Sequence, residues 1–183
     1  GLGYYELWLN GRRVGEQVLD PAQTDYKKIA LYSVFDITEL IREKNAVAAI
    51  LGNGRHIKNY GYSHPRLILQ LELELENELV DRVISDESWK VSLGPLRENG
   101  IYSGERYDAG LEQPGWDEPG FDDSSWENAV AVPGTALSPQ VFPPIRVTGT
   151  IKPVRHWSPL PGLFVVDFGQ NFSGWVRLKV RGP

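Results

Sequence analysis

Glu72, Glu74 and Glu76 stand at every second position and suggest the paired carboxylates of acid–base catalysis. On a strand they would share one face at intervals of about 6–7 Å. A carboxyl acting as an acid at neutral pH needs apolar surroundings. None share that face, so the pattern reads as a solvated side of a sheet. Glu98, Glu105 and Asp108 lie among Gly94, Gly100 and Gly104, a loop dense enough to be functional yet equally explained by folding. His56, His64 and His156 form no His-x-x-x-His pair and have no neighbouring cysteine, which argues against zinc. Asp122 and Asp123 lack the alternating oxygen ligands of a calcium loop and sit where a helix cap is expected. No metal and no cofactor is expected. Gly52-Asn-Gly54 is not followed by a phosphate-loop lysine, and Ser103 is not in a Gly-x-Ser-x-Gly elbow. Nucleotide binding and serine-hydrolase chemistry therefore find no support.

Aromatic rings are what a sugar site uses, because a ring face stacks on the C–H face of a pyranose while polar neighbours bond its hydroxyls. The chain has six Trp and eight Tyr. Trp8 and Trp175 fall in strand-like runs, and Trp89 and Trp126 each follow a capping-type serine; these read as packing. Arg55-His-Ile-Lys-Asn-Tyr-Gly-Tyr-Ser-His64 differs, combining exposed-type residues, two tyrosines and several donors. Carbohydrate contact is assigned to His56, Tyr60 and Tyr62. The competing reading packs this loop on another domain or a second subunit.

The elements that must position such a loop are strands. Leu67, Leu69, Leu71, Leu73 and Leu75 alternate with Ile68, Gln70, Glu72, Glu74 and Glu76, the period of a half-buried strand. Asn77-Glu78 then turns the chain into Leu79–Ile84, making a hairpin. Tyr4–Leu9, Asn10-Gly11 and Val14 make a second. Asp36 or Thr38 caps a single helical turn ahead of the strand Ala46–Leu51, and Asp122–Trp126 offers another turn. Pro114, Pro119, Pro133, Pro139, Pro143 and Pro144 mark a loop-rich stretch with a boundary near residue 135. Beyond it, 145–153, 163–168 and 174–180 read as strands. The fold class is all-β: a jelly-roll sandwich over residues 1–135, then the opening strands of a second sandwich over 136–183.

At 183 residues, 41% hydrophobic and 23% charged, the chain has the composition of an ordinary globular protein. Its net charge is -5, with scattered Lys and Arg, which argues against a nucleic-acid partner. The longest apolar run, 46–51, is far short of the roughly 20 residues that span a bilayer, so no membrane is implied. Zero cysteines exclude disulfides and leave the compartment open. The absence of methionine and the opening Gly1-Leu2-Gly3 lead us to expect a piece of a longer polypeptide.

Several blocks occur in a telling order: Leu9-Asn-Gly-Arg-Arg-Val-Gly15, Thr24-Asp-Tyr26, Phe35-Asp-Ile-Thr-Glu-Leu40, Leu51-Gly-Asn-Gly54, Ser85–Ala109, Phe121-Asp-Asp-Ser-Ser-Trp126, Pro143-Pro-Ile-Arg-Val147 and Asp167-Phe-Gly-Gln-Asn171. The Leu-Asn-Gly hairpin and the Asp-Ile-Thr turn alone also suit galactose-binding-like jelly rolls. Together the blocks resemble the amino-terminal accessory region of bacterial α-L-rhamnosidases over nearly the whole chain. The resemblance departs at Arg55-His56, where family members usually carry an aromatic pair. It implies an inverting glycosidase acting on terminal α-L-rhamnose of glycosides or polysaccharides. Inversion takes two carboxyls roughly 6.5–9.5 Å apart. In this family they belong to a downstream helical barrel, and no residue here matches the motif that supplies them, so no catalytic residue is assigned. Some members carry a calcium-dependent rhamnose-binding module. Three roles stay open: an accessory portion of the enzyme, a stand-alone carbohydrate-binding module, and a structural or homodimerising domain.

Overall fold

The computed structural model describes residues 1–58, 61–75 and 79–181. Strands in chain order are β1 (Tyr4–Leu9), β2 (Arg12–Arg13), β3 (Ile29–Tyr32), β4 (Val47–Gly52), β5 (Gln70–Glu74), β6 (Val80–Ile84), β7 (Lys90–Val91), β8 (Leu96–Gly100), β9 (Gly104–Tyr107), β10 (Glu127–Asn128), β11 (Ala136–Pro139), β12 (Arg155–Leu160) and β13 (Leu163–Asp167). Single 3-10 turns occur at Thr38–Leu40 and Ala109–Leu111. The protein is all-β, as its patterning requires. It divides into two compact units, Gly1–Ile145 and Arg146–Pro183.

In the first unit β1 is central to a three-stranded antiparallel sheet ordered β2-β1-β4, with Tyr4 opposite Gly52 and Leu9 opposite Val47. The β1–β2 reversal is set by Asn10 and Gly11, at φ 54° and 75°. Two consecutive positive-φ residues form the primed turn whose twist matches the flanking strands. Asn10 is 1% exposed, and its side chain has three partners. Its Nδ2 donates to Leu40 O (2.9 Å) and Asn45 Oδ1 (2.8 Å), and its Oδ1 accepts from Ala46 N (2.9 Å). One turn residue thus ties the hairpin to the segment leading into β4. Buried apolar side chains come from β1 (Leu9), the end of the hairpin (Val14), and β3 with its approach (Tyr26, Ala30, Leu31).

The β5–β6 hairpin forms in the register the leucine alternation demands. Leu71 and Leu73 are half-buried while Gln70, Glu72 and Glu74 are exposed. Its expected turn at Asn77-Glu78, like Glu76, lies outside the described residues. β11 ladders onto β3 in parallel, Ala136 opposite Ile29, and Val18 N donates to Ile145 O (2.9 Å). Residues 136–145 therefore belong with the first compact unit. Asp36 Oδ1 accepts from Thr38 N and Oγ1 (3.0 and 2.7 Å), but the N-cap of the turn at Thr38–Leu40 is Ile37, which has no side-chain cap bond, so Asp36 braces the approach to the turn and neither Asp36 nor Thr38 is its cap. At Asp122 the same device appears, Oδ1 accepting from Ser124 N (3.1 Å), but a turn follows rather than a helix.

The second unit is built on the antiparallel β12–β13 hairpin. Its reversal at Pro161-Gly162, with Gly162 at φ 79°, suits a type II turn. Of the strands expected here, only 163–168 is found, as β13. Residues 145–153 and 174–180 form no ladder strand. The first is broken by Gly149 and Pro153. The second keeps its alternation, but among the described residues no neighbouring strand pairs with it, and a lone run cannot satisfy its backbone groups as a strand. Leu160, Phe164, Trp175 and Leu178 are all exposed.

Candidate functional site

The loop assigned to carbohydrate is anchored by turn chemistry on both sides. Ahead of β3, Thr24 Oγ1 donates to Ile29 O (2.5 Å), and Lys28 N and Ile29 N both donate to Asp25 O (2.8 and 3.0 Å). This knot turns Tyr26 inward, to 4% exposure. After β4, Gly54 at φ 53° ends the strand, and a Cβ there would lie 3.1 Å from the Tyr4 ring. His56 N donates to Asn53 O (2.8 Å), Gly61 N to Lys58 O (2.9 Å) and Tyr62 N to Ile57 O (3.3 Å). Asn53 is in turn held by Asn99 of β8, through N to Oδ1 (2.5 Å) and Nδ2 to O (3.0 Å).

These anchors bring three rings together. His56 and Tyr62 stack with centroids 5.2 Å apart and planes at 21°, and Tyr26 meets both edge-on at 5.5 Å. His56 is 4% exposed and Tyr62 half-buried; Tyr60 lies outside the described residues. The Tyr26 hydroxyl and His56 Nδ1 are buried without a hydrogen-bond partner among the described residues. Burial holds the His56 pKa below its ordinary value, Arg66 adds to that, and nearby backbone carbonyls oppose it. Burial likewise pushes the Tyr26 phenol up to about 12, reinforced by Tyr4 and Tyr62 and opposed by Arg55.

Two cations lie over tyrosine rings here, one of those rings in the cluster. Lys27 Nζ lies 5.8 Å from the Tyr62 centroid and the Arg55 guanidinium 5.1 Å from that of Tyr102, within reach of cation–π attraction. Sequence reasoning placed Arg55 and Lys58 in the loop but missed Tyr26, Lys27 and Tyr102. Thr24-Asp-Tyr26 was legible only as a family block, and nothing local announces that it packs against residue 56. The other candidates do not assemble into chemistry. Glu72 pairs with Arg82 across β5–β6 (2.9 Å), and Glu98 with Arg106 across β8–β9 (3.2 Å). Asp108 caps the turn at Gly110 (3.0 Å). Among the described residues no group of three or more His, Cys, Asp or Glu is placed to hold a metal, and no helix is long and apolar enough to cross a membrane.

The sequence profile described as the α-L-rhamnosidase N-terminal domain matches residues 1–149. The chain belongs to that family. Among curated relatives it is 39% identical over 197 residues to an α-L-rhamnosidase of Formosa agariphila, covering 98% of this chain and 20% of that protein. It is 39% identical over 195 residues to one from Streptomyces avermitilis, covering 99% and 19%. Solved structures agree. The α-L-rhamnosidase from Dictyoglumus thermophilum superposes with a TM-score of 0.90 at 52% identity, over 93% of this chain and 20% of that one. The Streptomyces avermitilis enzyme complexed with L-rhamnose gives 0.87 at 36% identity, over 93% and 18%. The chain thus spans about a fifth of the length of these α-L-rhamnosidases.

Proposed function

We propose that this chain is the accessory β-sandwich portion of an α-L-rhamnosidase that removes terminal α-L-rhamnose from glycosides or polysaccharides. The first sandwich is a jelly roll. Hydrolysis proceeds with inversion, on two carboxyls of a helical barrel that lies outside these 183 residues. This portion positions the barrel and offers the 55–64 loop to carbohydrate. There Tyr60 and Tyr62 contact sugar; His56, assigned to sugar with them, is 4% exposed and instead stacks on the Tyr62 ring.

The observation that carries this reading is the match along nearly the whole chain to only about a fifth of each relative. A second support is the apolar surface of residues 146–181, where Phe164 is 76% and Leu178 78% exposed. Large apolar side chains left in the open are what a surface that packs against further polypeptide would carry. In the accessory role, rhamnosidase activity requires the chain joined to its barrel. The test is the activity of the joined polypeptide with and without residues 1–145; equal turnover by both contradicts it.

A stand-alone carbohydrate-binding module is the second reading, favoured by the ring cluster at Tyr62. It requires saturable L-rhamnose-dependent NMR shifts centred on Tyr60 and Tyr62. No shift at millimolar sugar removes it. Homodimerisation is separated from both by sedimentation.

A further inference from the structure

The chain contains three Asn-Gly steps, Asn10-Gly11, Asn53-Gly54 and Asn99-Gly100. At such a step no Cβ shields the backbone nitrogen of the second residue, which is then able to attack the asparagine Cγ. A bond forms from that nitrogen to Cγ, the Cγ–Nδ2 bond breaks and ammonia leaves, giving a five-membered succinimide. Water opens the ring at either carbonyl, to aspartate or to isoaspartate. The attack needs the glycine N–H free and the asparagine side chain able to swing over its own following peptide. Hydrogen bonds to either group therefore slow it.

The fold treats the three steps differently. Asn10 is 1% exposed, its amide is held by Leu40 O, Asn45 Oδ1 and Ala46 N, and Gly11 N donates to Asp117 O (2.9 Å). Asn99 sits inside β8, with Glu105 opposite it and Gly104 opposite Gly100, and its Oδ1 accepts from Asn53 N (2.5 Å). A strand side chain stands roughly perpendicular to its sheet, away from the next N–H. Asn53 lies past the end of β4, in no strand or bridge, and is half-buried. Its side chain makes one hydrogen bond, from Nδ2 to Asn99 O (3.0 Å), and among the described residues Gly54 N donates none.

We propose that Asn53 is a site of spontaneous deamidation, and that the modification releases the turn after β4 from β8. An ionised aspartate only accepts hydrogen bonds, so it sets a carboxylate against the Asn99 carbonyl that Nδ2 meets in the unmodified chain. Isoaspartate also lengthens the main chain by a methylene ahead of Gly54, displacing the Asn53 carbonyl that accepts from His56 N (2.8 Å).

The test follows the intact 183-residue chain at mildly alkaline pH by peptide mapping with mass spectrometry, native and in urea. Unfolded, the three steps are chemically alike and should react at similar rates. In the native chain several hydrogen bonds must break at Asn10, and the β8 ladder must open at Asn99, against one hydrogen bond at Asn53. Aspartate and isoaspartate should therefore accumulate at position 53 at least about tenfold faster than at positions 10 and 99. Native modification of Asn10 or Asn99 at the rate of Asn53, or none at Asn53 while all three react in urea, overturns the site. Asn53→Asp should speed hydrogen exchange of the His56 and Tyr62 amides by about tenfold, and wild-type chain aged to partial modification should show the same faster population. Unchanged exchange in both overturns the release and leaves the modification.

Discussion

The Tyr62 ring lies on the His56 imidazole, 5.2 Å between centroids with planes at 21°, and Tyr26 closes the edge of both. Ring packing thus adds to the backbone turns and the Asn53–Asn99 bonds that hold this loop. Tyr62→Ala should destabilise the first unit by about 2 kcal/mol, less than a fully buried aromatic because the ring is half-exposed. Tyr62→Phe should be nearly neutral. Chemical denaturation of both variants reads this directly, and equal losses would show that the hydroxyl, not the ring, matters.

Tyr26→Phe should have the unusual sign. The hydroxyl is buried without a partner among the described residues, and desolvating such a group unpaired costs about 1–3 kcal/mol. Removing it should leave the midpoint of denaturation unchanged or raised. A loss above about 1 kcal/mol would mean the hydroxyl is bonded in solution.

His56 makes the stability pH-dependent. Its pKa is held below the ordinary 6.5, first by burial and then by Arg66, so the unfolded chain takes up the proton before the folded one does. The contribution is fully present above pH 6.5 and is lost as pH falls from there toward the lower folded value. His56→Gln should flatten the stability profile in that window. A wild-type profile with no slope there, or one rising toward acid, contradicts the burial argument.

Asn10→Ala should be among the costliest single changes. It strands the Ala46 N–H and the Leu40 carbonyl and forces a side chain other than Asn into φ 54°. About 2–4 kcal/mol is expected. Glu72→Gln, by contrast, removes an exposed ion pair with Arg82 and should shift stability by no more than about 0.5 kcal/mol.

Local pattern was a reliable guide where local chemistry decides. Asn10-Gly11 announced its hairpin, the 67–75 alternation announced both β5 and which side it buries, and Asp36-Ile-Thr38 announced a single helical turn. Pattern failed where the partner is distant. The parallel β3–β11 pairing joins residues more than a hundred positions apart, and the prolines around it read as linker. Residues 174–180 alternate like a strand but meet no ladder partner among the described residues. The ring cluster shows the same division. His56 and Tyr62 were visible as a loop, whereas Tyr26 reaches them only because Thr24 and Asp25 knot the chain before β3.

The central claim is that rhamnoside chemistry is performed outside these residues. Incubating the purified 183-residue chain with p-nitrophenyl α-L-rhamnopyranoside measures it most directly. Release of nitrophenol at the buffer rate is the expected result. Turnover above that rate, abolished by substituting a carboxylate of this chain, would contradict it.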